Sequence, residues 1–414
     1  MIEQIKSNLE NPNQLEKLYR NNKTDFKKEF NTLYPDIKEN TTAQVWNERL
    51  NFESDELSWG TKNELVFVII ASLIAGFIAK LPQFFGFDEE FFYPRNIALV
   101  VFPLLVAYFG WKQNIPAKKI VIASIAILVS ALFINLLPNN IQSDTLILAC
   151  IHLPLFLWAV LGFTYLGKDI KNNQRRLDFL RYNGDLVVMT TIILIAGGLF
   201  TMLTINLFRL IDIPIEEFYF KNIGIWGLAA APIVGTFLVQ ANPQLVNKVS
   251  PVIAKIFTPL VLVTLVIYLI AVIYTGKDPY NDREFLLIFN MLLIGVMAII
   301  FFSIAESSKN WRSNIITIML FALSIVTIIV NGIALSAIIF RISEWGITPN
   351  RLAVLGSNVL ILANLLLMSY RIFRTIKDKD EIENVGNSIA YFLPVYSLWT
   401  IVVTFVLPIL FNFK

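Results

Sequence analysis

From about Glu64 to its end, the chain reads as eleven apolar runs of membrane-spanning length separated by short polar loops. A bilayer hydrocarbon core about 30 Å thick needs about 20 apolar residues per helix. Runs such as Leu186 to Ile205 and Ile253 to Tyr274 meet that need. Of the 414 residues 56% are hydrophobic and only 16% charged, against about 25% charged in an ordinary soluble domain. The expected fold is all-α: a polytopic integral membrane helix bundle of about eleven transmembrane helices with a small N-terminal helical segment. The expected spans are 64–81, 96–111, 118–137, 145–166, 186–208, 222–240, 251–274, 284–305, 314–340, 352–370 and 388–411.

Residues 1–62 differ from the rest, being rich in Asn, Lys and Glu, with apolar residues at helical spacing (Leu15, Leu18, Tyr19; Phe26, Phe30, Leu33). Pro12 suits the first turn of a helix, Pro35 is expected to end a second, and Ala43 to Leu50 reads as a third. The expected division is therefore a soluble helical cytoplasmic cap at 1–62 and a transmembrane bundle at 63–414. The cap is too short for a catalytic core of its own; it reads as a tail that folds on the bundle or as a docking module for a cytoplasmic protein partner. The charged N-terminus lacks the apolar stretch of a signal peptide, so the first span is expected to serve as an uncleaved insertion signal. The single cysteine, Cys150, lies in an apolar run and forms no internal disulfide.

Lys and Arg accumulate on the cytoplasmic side of membrane proteins. With the N-terminus inside, cytoplasmic segments hold 24 of the 34 basic residues and outer segments hold 8, with Lys80 and Lys255 within or at the ends of spans. The expected topology is N-terminus in and C-terminus out. The outer segments FDEEFFYPRN, IDIPIEEFYFKN, GKDPYNDREF and RISEWGITPNR are acidic, aromatic and Pro-containing. They fit either interfacial anchors or the mouth of a site.

The segments FYPRNIALVVFPLLVAYFGWK, PVIAKIFTPLVLVTLVIYLIAVIYTGKDPYNDREFLLIFN and GITPNRLAVL, together with NPNQLEKLYRNNKTDFKKEF in the tail, resemble a bacterial family of multipass membrane proteins catalogued only as a domain of unknown function and common in Bacteroidetes-type bacteria. The resemblance implies a multipass protein of the bacterial inner membrane and assigns no activity or catalytic residue.

Polar groups within spans are expensive and often functional. His152, the only histidine, sits in CIHLPLF two residues before Pro154; it fits a proton relay, a ligand contact, or a hydrogen bond to a neighbouring helix or to the carbonyl that Pro154 frees. Lys255, between Pro251 and Pro259, fits snorkelling to headgroups or a polar cavity. Asn206, Asn290, Asn331, Asn358 and Asn364 place amides on spanning helices, where interhelical hydrogen bonds account for them and a substrate-lining role is the alternative. Arg95 and Arg283, in outer segments, are candidates for lipid phosphate. The binding candidates are thus His152, Lys255, Asn206, Asn290, Asn331, Arg95 and Arg283. No catalytic residue, metal set or cofactor is expected: the sequence has no Walker motif, GxGxxG after a strand, HExxH or Cys/His cluster. The basic residues line the cytoplasmic face, where anionic lipid explains them and nucleic acid is not required.

Three readings fit this pattern. One is a transporter-like protein handling a lipid or small solute among the helices near His152. Another is an accessory or signalling component whose cap and outer loops engage protein partners. The third is a membrane enzyme acting on a lipid-linked substrate at the outer face, using Asp88, Glu89, Arg95, Asp282, Arg283 and Glu284.

Overall fold

The computed structural model describes residues 2–21, 23–51, 58–140, 142–209, 213–243, 258–267, 269–270, 274, 280, 283–307, 314–377 and 382–414. The described residues form helices and turns with no strand, and divide into two units at Leu57 and Ser58. The sequence places that boundary at residue 62.

The first unit comprises α1 (Ile2–Ser7), α2 (Pro12–Asn21), α3 (Lys23–Ile37) and α4 (Thr41–Asn51). The apolar spacing read from the sequence becomes a core of its own: Ile5, Leu9, Leu15, Phe26, Phe30, Leu33, Ala43, Trp46 and Leu50 are all buried. Pro35 was expected to end the second helix, yet α3 runs two residues beyond it. A proline in the last turn removes only one ladder bond, to the Asn31 carbonyl, and that is tolerated there. On the surface Glu16 accepts from Arg20 Nε at 2.7 Å and lies 2.9 Å from Arg49 Nη1. The hydrogen bond from Arg20, followed by that from Arg49, holds the Glu16 carboxyl below its usual 4.5. Because the folded value is the lower one, the contribution of Glu16 to folding is present above pH 4.5 and is lost as pH falls through the folded value. In carbon-13 NMR of glutamate-labelled protein, Glu16 should titrate below 4.5 and move up toward it in the double variant Arg20→Ala, Arg49→Ala.

In the second unit, nine helices among the described residues are long and apolar enough to cross a bilayer. They are α5 (Lys62–Ala79), α7 (Glu89–Lys112), α8 (Ala117–Leu136), α9 (Asp144–Tyr165), α10 (Asn173–Arg209), α11 (Glu216–Ala241), α14 (Asn314–Trp345), α15 (Pro349–Ile376) and α16 (Ile382–Ile401, carried to Leu410 through a π-turn at Val402–Val406). Short α6 (Leu81–Phe85) joins the first two. The other two expected spans, 251–274 and 284–305, are described in part, as α12 (Thr258–Ile267) and within α13 (Arg283–Ser307). Rows of exposed Ile, Leu, Val and Phe, such as Val66, Ile69, Ile70 and Leu73 on α5, cover the periphery. That surface suits lipid and would be unstable in water. The chain is a multipass membrane helix bundle.

Several segments expected as loops are helical. The KDIKNNQRRLDFLRYNGD segment, expected as a cytoplasmic loop, is taken into α10 from Asn173 onward, giving 37 residues, or about 55 Å. Leu177 and Leu180 of this extension pack into the core formed by α13 to α16, while Phe179 and Tyr182 pack into that of α5, α7, α9 and α11. It therefore joins the two halves of the bundle. The segments expected on the outer side supply helix starts: Asp88 caps α7 through the Glu90 N–H at 3.0 Å, with Glu89 and Glu90 at the positive end of the helix dipole. Between α14 and α15, Gly346 adopts φ +75°, a conformation that L side chains rarely take, and Thr348 caps the Arg351 N–H just before Pro349. That tight turn brings α14 and α15 together as an antiparallel hairpin.

Arginine side chains bond backbone carbonyls inside the bundle. Arg176 Nη1 donates at 3.1 Å to the carbonyl of Ala390, the one that Pro394 leaves without its helical donor. Arg181, buried and paired with Asp178 at 2.7 Å, also donates to the Ala305 carbonyl near the end of α13.

Candidate functional site

A lateral cavity of about 250 Å³ opens between α9, α13, α15 and α16. His152, Leu155 and Trp158 line it from α9, Ile294, Met297 and Phe301 from α13, Ser357 and Ile361 from α15, and Tyr396 and Trp399 from α16. His152 and Ser357 each lie eight residues from the start of their helices, about 12 Å along the axis. Trp158 lies at about 21 Å by the same measure. The cavity thus falls within a hydrocarbon layer about 30 Å thick. Leu155 and Ile294 both line it and are exposed, at 45% and 57%, so its mouth faces the lipid side of the bundle.

The polar groups of the wall are mostly committed. His152 Nδ1 donates to the Leu148 carbonyl at 2.9 Å; a carbonyl only accepts, which fixes the proton on Nδ1. Of the partners expected for this histidine, neither a neighbouring helix nor Cys150, whose carbonyl Pro154 frees, is used among the described residues. The ring reaches one turn back along its own helix instead, and Leu148 is itself held by Ala353, Val403 and Leu407. Trp399 Nε1 donates to Ser357 Oγ at 3.0 Å and Trp158 Nε1 to Asn183 Oδ1 at 2.8 Å. Tyr396 OH accepts from Asn364 Nδ2 at 3.0 Å and points its own hydrogen at the Leu360 carbonyl, 3.4 Å away. Ser397 and Thr400 donate to the carbonyls of Leu393 and Ser397 at 2.9 and 2.8 Å. The cavity is an apolar, aromatic chamber in which His152 Nε2 takes no hydrogen bond from any described residue.

Of the residues singled out in the sequence, His152 alone lies on this cavity. Arg95 is buried on α7, where Nη1 donates to the carbonyls of Ile134 at 2.6 Å and Leu137 at 3.2 Å and so completes the end of α8. Asn206 is exposed and bonds back to the Met202 carbonyl at 2.8 Å. Asn290 is half-buried on α13. Lys255 and the side chain of Arg283 fall outside the described residues, as does Asp282.

Asn331 is fully buried, and neither its Oδ1 nor its Nδ2 finds a partner among the described residues. Ser369 Oγ donates to Ser324 Oγ at 2.8 Å and sets the register of the α14–α15 hairpin. Asn331 lies two turns beyond Ser324 and so faces the same seam. An unmatched buried amide costs roughly 1–3 kcal/mol. Asn331→Leu, close in volume, should therefore raise the thermal midpoint in detergent; a lowered midpoint would mean the amide has a partner in the folded protein.

One polar cluster had no signal beyond a carboxylate at a span end. Glu64, buried in the first turn of α5, accepts from Tyr108 OH and from Lys112 Nζ at 2.7 Å, both on α7. It ties together one end of that pair of helices. The aromatic wall of the cavity was equally silent in sequence, since Trp158, Phe301, Tyr396 and Trp399 read as ordinary apolar residues of three separate runs.

In comparisons with known proteins, no family model matches the chain. No curated protein and no solved structure matches it either.

Proposed function

We propose that this is a multipass protein of a bacterial inner membrane that takes an apolar or amphiphilic ligand from the bilayer into the cavity beside His152. The observation that carries the proposal is the cavity: apolar, at hydrocarbon depth, and open sideways between α9 and α13. A water-soluble solute would need an aqueous path and polar groups to replace its hydration, whereas a hydrocarbon chain partitions to the mouth already desolvated. The excess of Lys and Arg in the segments assigned to the cytoplasmic side supports the N-terminus-in orientation. The resemblance of the apolar segments to the Bacteroidetes-type family supports the bacterial membrane.

The test is photolabelling in lipid nanodiscs with a ten-carbon alkyl diazirine. Label should concentrate on residues of the cavity wall, and Ala298→Trp, which puts an indole into the chamber from α13, should remove that label while leaving background labelling of the periphery. Uniform labelling of all lipid-facing helices, unchanged by Ala298→Trp, would overturn the proposal.

A second reading, an accessory role through a cytoplasmic partner, is favoured by one feature of the N-terminal unit. Lys17, Arg20, Trp46 and Arg49 line an open groove between α2 and α4, with Val45 exposed at its edge. The outer-face enzyme draws less support: Asp88 is spent as a helix cap and Arg95 on backbone carbonyls.

A further inference from the structure

Resting on the proposal that the cavity holds a bilayer-derived ligand, we infer that the ligand end entering it carries a neutral O–H group, donated to His152 Nε2, on a chain segment of about ten carbon atoms. The size follows from volume. An apolar cavity of about 150 Å³ admits benzene, with six carbon atoms, so about 250 Å³ takes roughly ten non-hydrogen atoms by proportion. A whole phospholipid does not fit; two isoprene units or the end of an alkyl chain do.

The polarity follows from the hydrogen-bond inventory of the wall. Most donors there are used: His152 Nδ1 on Leu148, Trp399 on Ser357, Trp158 on Asn183, and Ser397 and Thr400 on carbonyls of their own helix, while Ser357 Oγ accepts from Trp399 and keeps its own hydrogen. Tyr396 OH is aimed at Leu360. What the wall chiefly offers is acceptor capacity, foremost the Nε2 lone pair of a histidine whose tautomer is fixed from the opposite side of its ring. A ligand group that only accepts, such as an ether, ester or ketone, would leave His152 Nε2 without a partner, and an unpaired polar group at this depth is costly. A charged head fares worse, since no Asp, Glu, Lys or Arg lines the cavity among the described residues. An O–H group satisfies both sides at once, and sites built around one such bond discriminate strongly against analogues that lack it.

His152 is the only histidine in the chain, so nitrogen-15 histidine labelling of the full-length protein, purified without a histidine tag, reports this ring alone. In nanodiscs, 1-decanol should move the Nε2 resonance in the direction of an accepted hydrogen bond, while decane and decyl methyl ether should not. In competition with the alkyl diazirine, decanol should be at least tenfold more effective than decane in the wild type. That preference should vanish in His152→Leu, with decane still competing as a check on folding, and should partly return in His152→Gln. Decanoic acid competing only at acidic pH, with decanol competing at every pH, would identify the undissociated O–H as the shared feature. Equal competition by decane and decanol in the wild type would overturn the inference and leave the hydrophobic site standing. Failure of every chain to compete would overturn both.

Discussion

Gly356→Ala should lower the thermal midpoint and remove photolabel from the cavity in one step. A Cβ at Gly356 would lie 2.0 Å from Cζ2 and 2.2 Å from Cη2 of Trp399, far inside the roughly 3.5–4.0 Å at which carbon atoms rest against one another. The indole cannot simply slide away, because its Nε1 is bonded to Ser357, the next residue along α15. Both Ser357 and Trp399 form the cavity wall, so relief of the clash pushes the ring into the chamber or parts α15 from α16. Overpacking of this kind costs about 1–3 kcal/mol. Trp399→Leu alone should also destabilise by removing the indole, yet combined with Gly356→Ala it should recover part of the loss, because the clash has gone. The cycle is read from melting curves in one detergent. Strictly additive effects would mean that the two residues do not press on each other as the structure places them.

Glu64→Leu should be the most destabilising change at the α5–α7 end of the bundle. It strips the acceptor from Tyr108, which is only 2% exposed, and the counter-charge from Lys112, leaving the phenol hydrogen without an acceptor and the ammonium group with only the Tyr108 hydroxyl, 3.1 Å away. Breaking a buried pair from one side costs about 3–5 kcal/mol. Lys112 keeps partial access to solvent, so about 2–3 kcal/mol is expected here. Replacing both charges, as Glu64→Leu with Lys112→Met, should restore most of the stability, since apolar substitutes for an ion pair are often neutral or better. A double variant as unstable as Glu64→Leu would show that the carboxylate acts through another contact.

The cavity was only partly legible in the sequence, for identifiable reasons. His152 stood out because a lone polar side chain in an apolar run is conspicuous. Asn206 and Arg95 stood out equally, yet Asn206 bonds its own helix and Arg95 completes the end of α8. Sequence shows that a polar group is present, whereas its hydrogen-bond partners depend on the rotation of the helix and the register of its neighbours. Proline misled in the same way. Pro394 marks a freed carbonyl, but only the packing of α10 against α16 shows Arg176 occupying it.

By itself the sequence determined that this chain is a bundle of membrane-crossing helices, because the thickness of a hydrocarbon layer acts on contiguous residues and is read directly as run length. It also determined a separate N-terminal helical unit, through composition and the spacing of its apolar residues. The tertiary structure alone decided that part of an apparent cytoplasmic loop is helix, that segments expected as outer loops begin and end helices, and that Glu64 meets Tyr108 and Lys112. It alone gathered His152, Trp158, Phe301, Ser357, Tyr396 and Trp399 around one chamber. Those residues come from four helices far apart in the chain, and their side chains converge through packing between helices, which no local pattern of residues records.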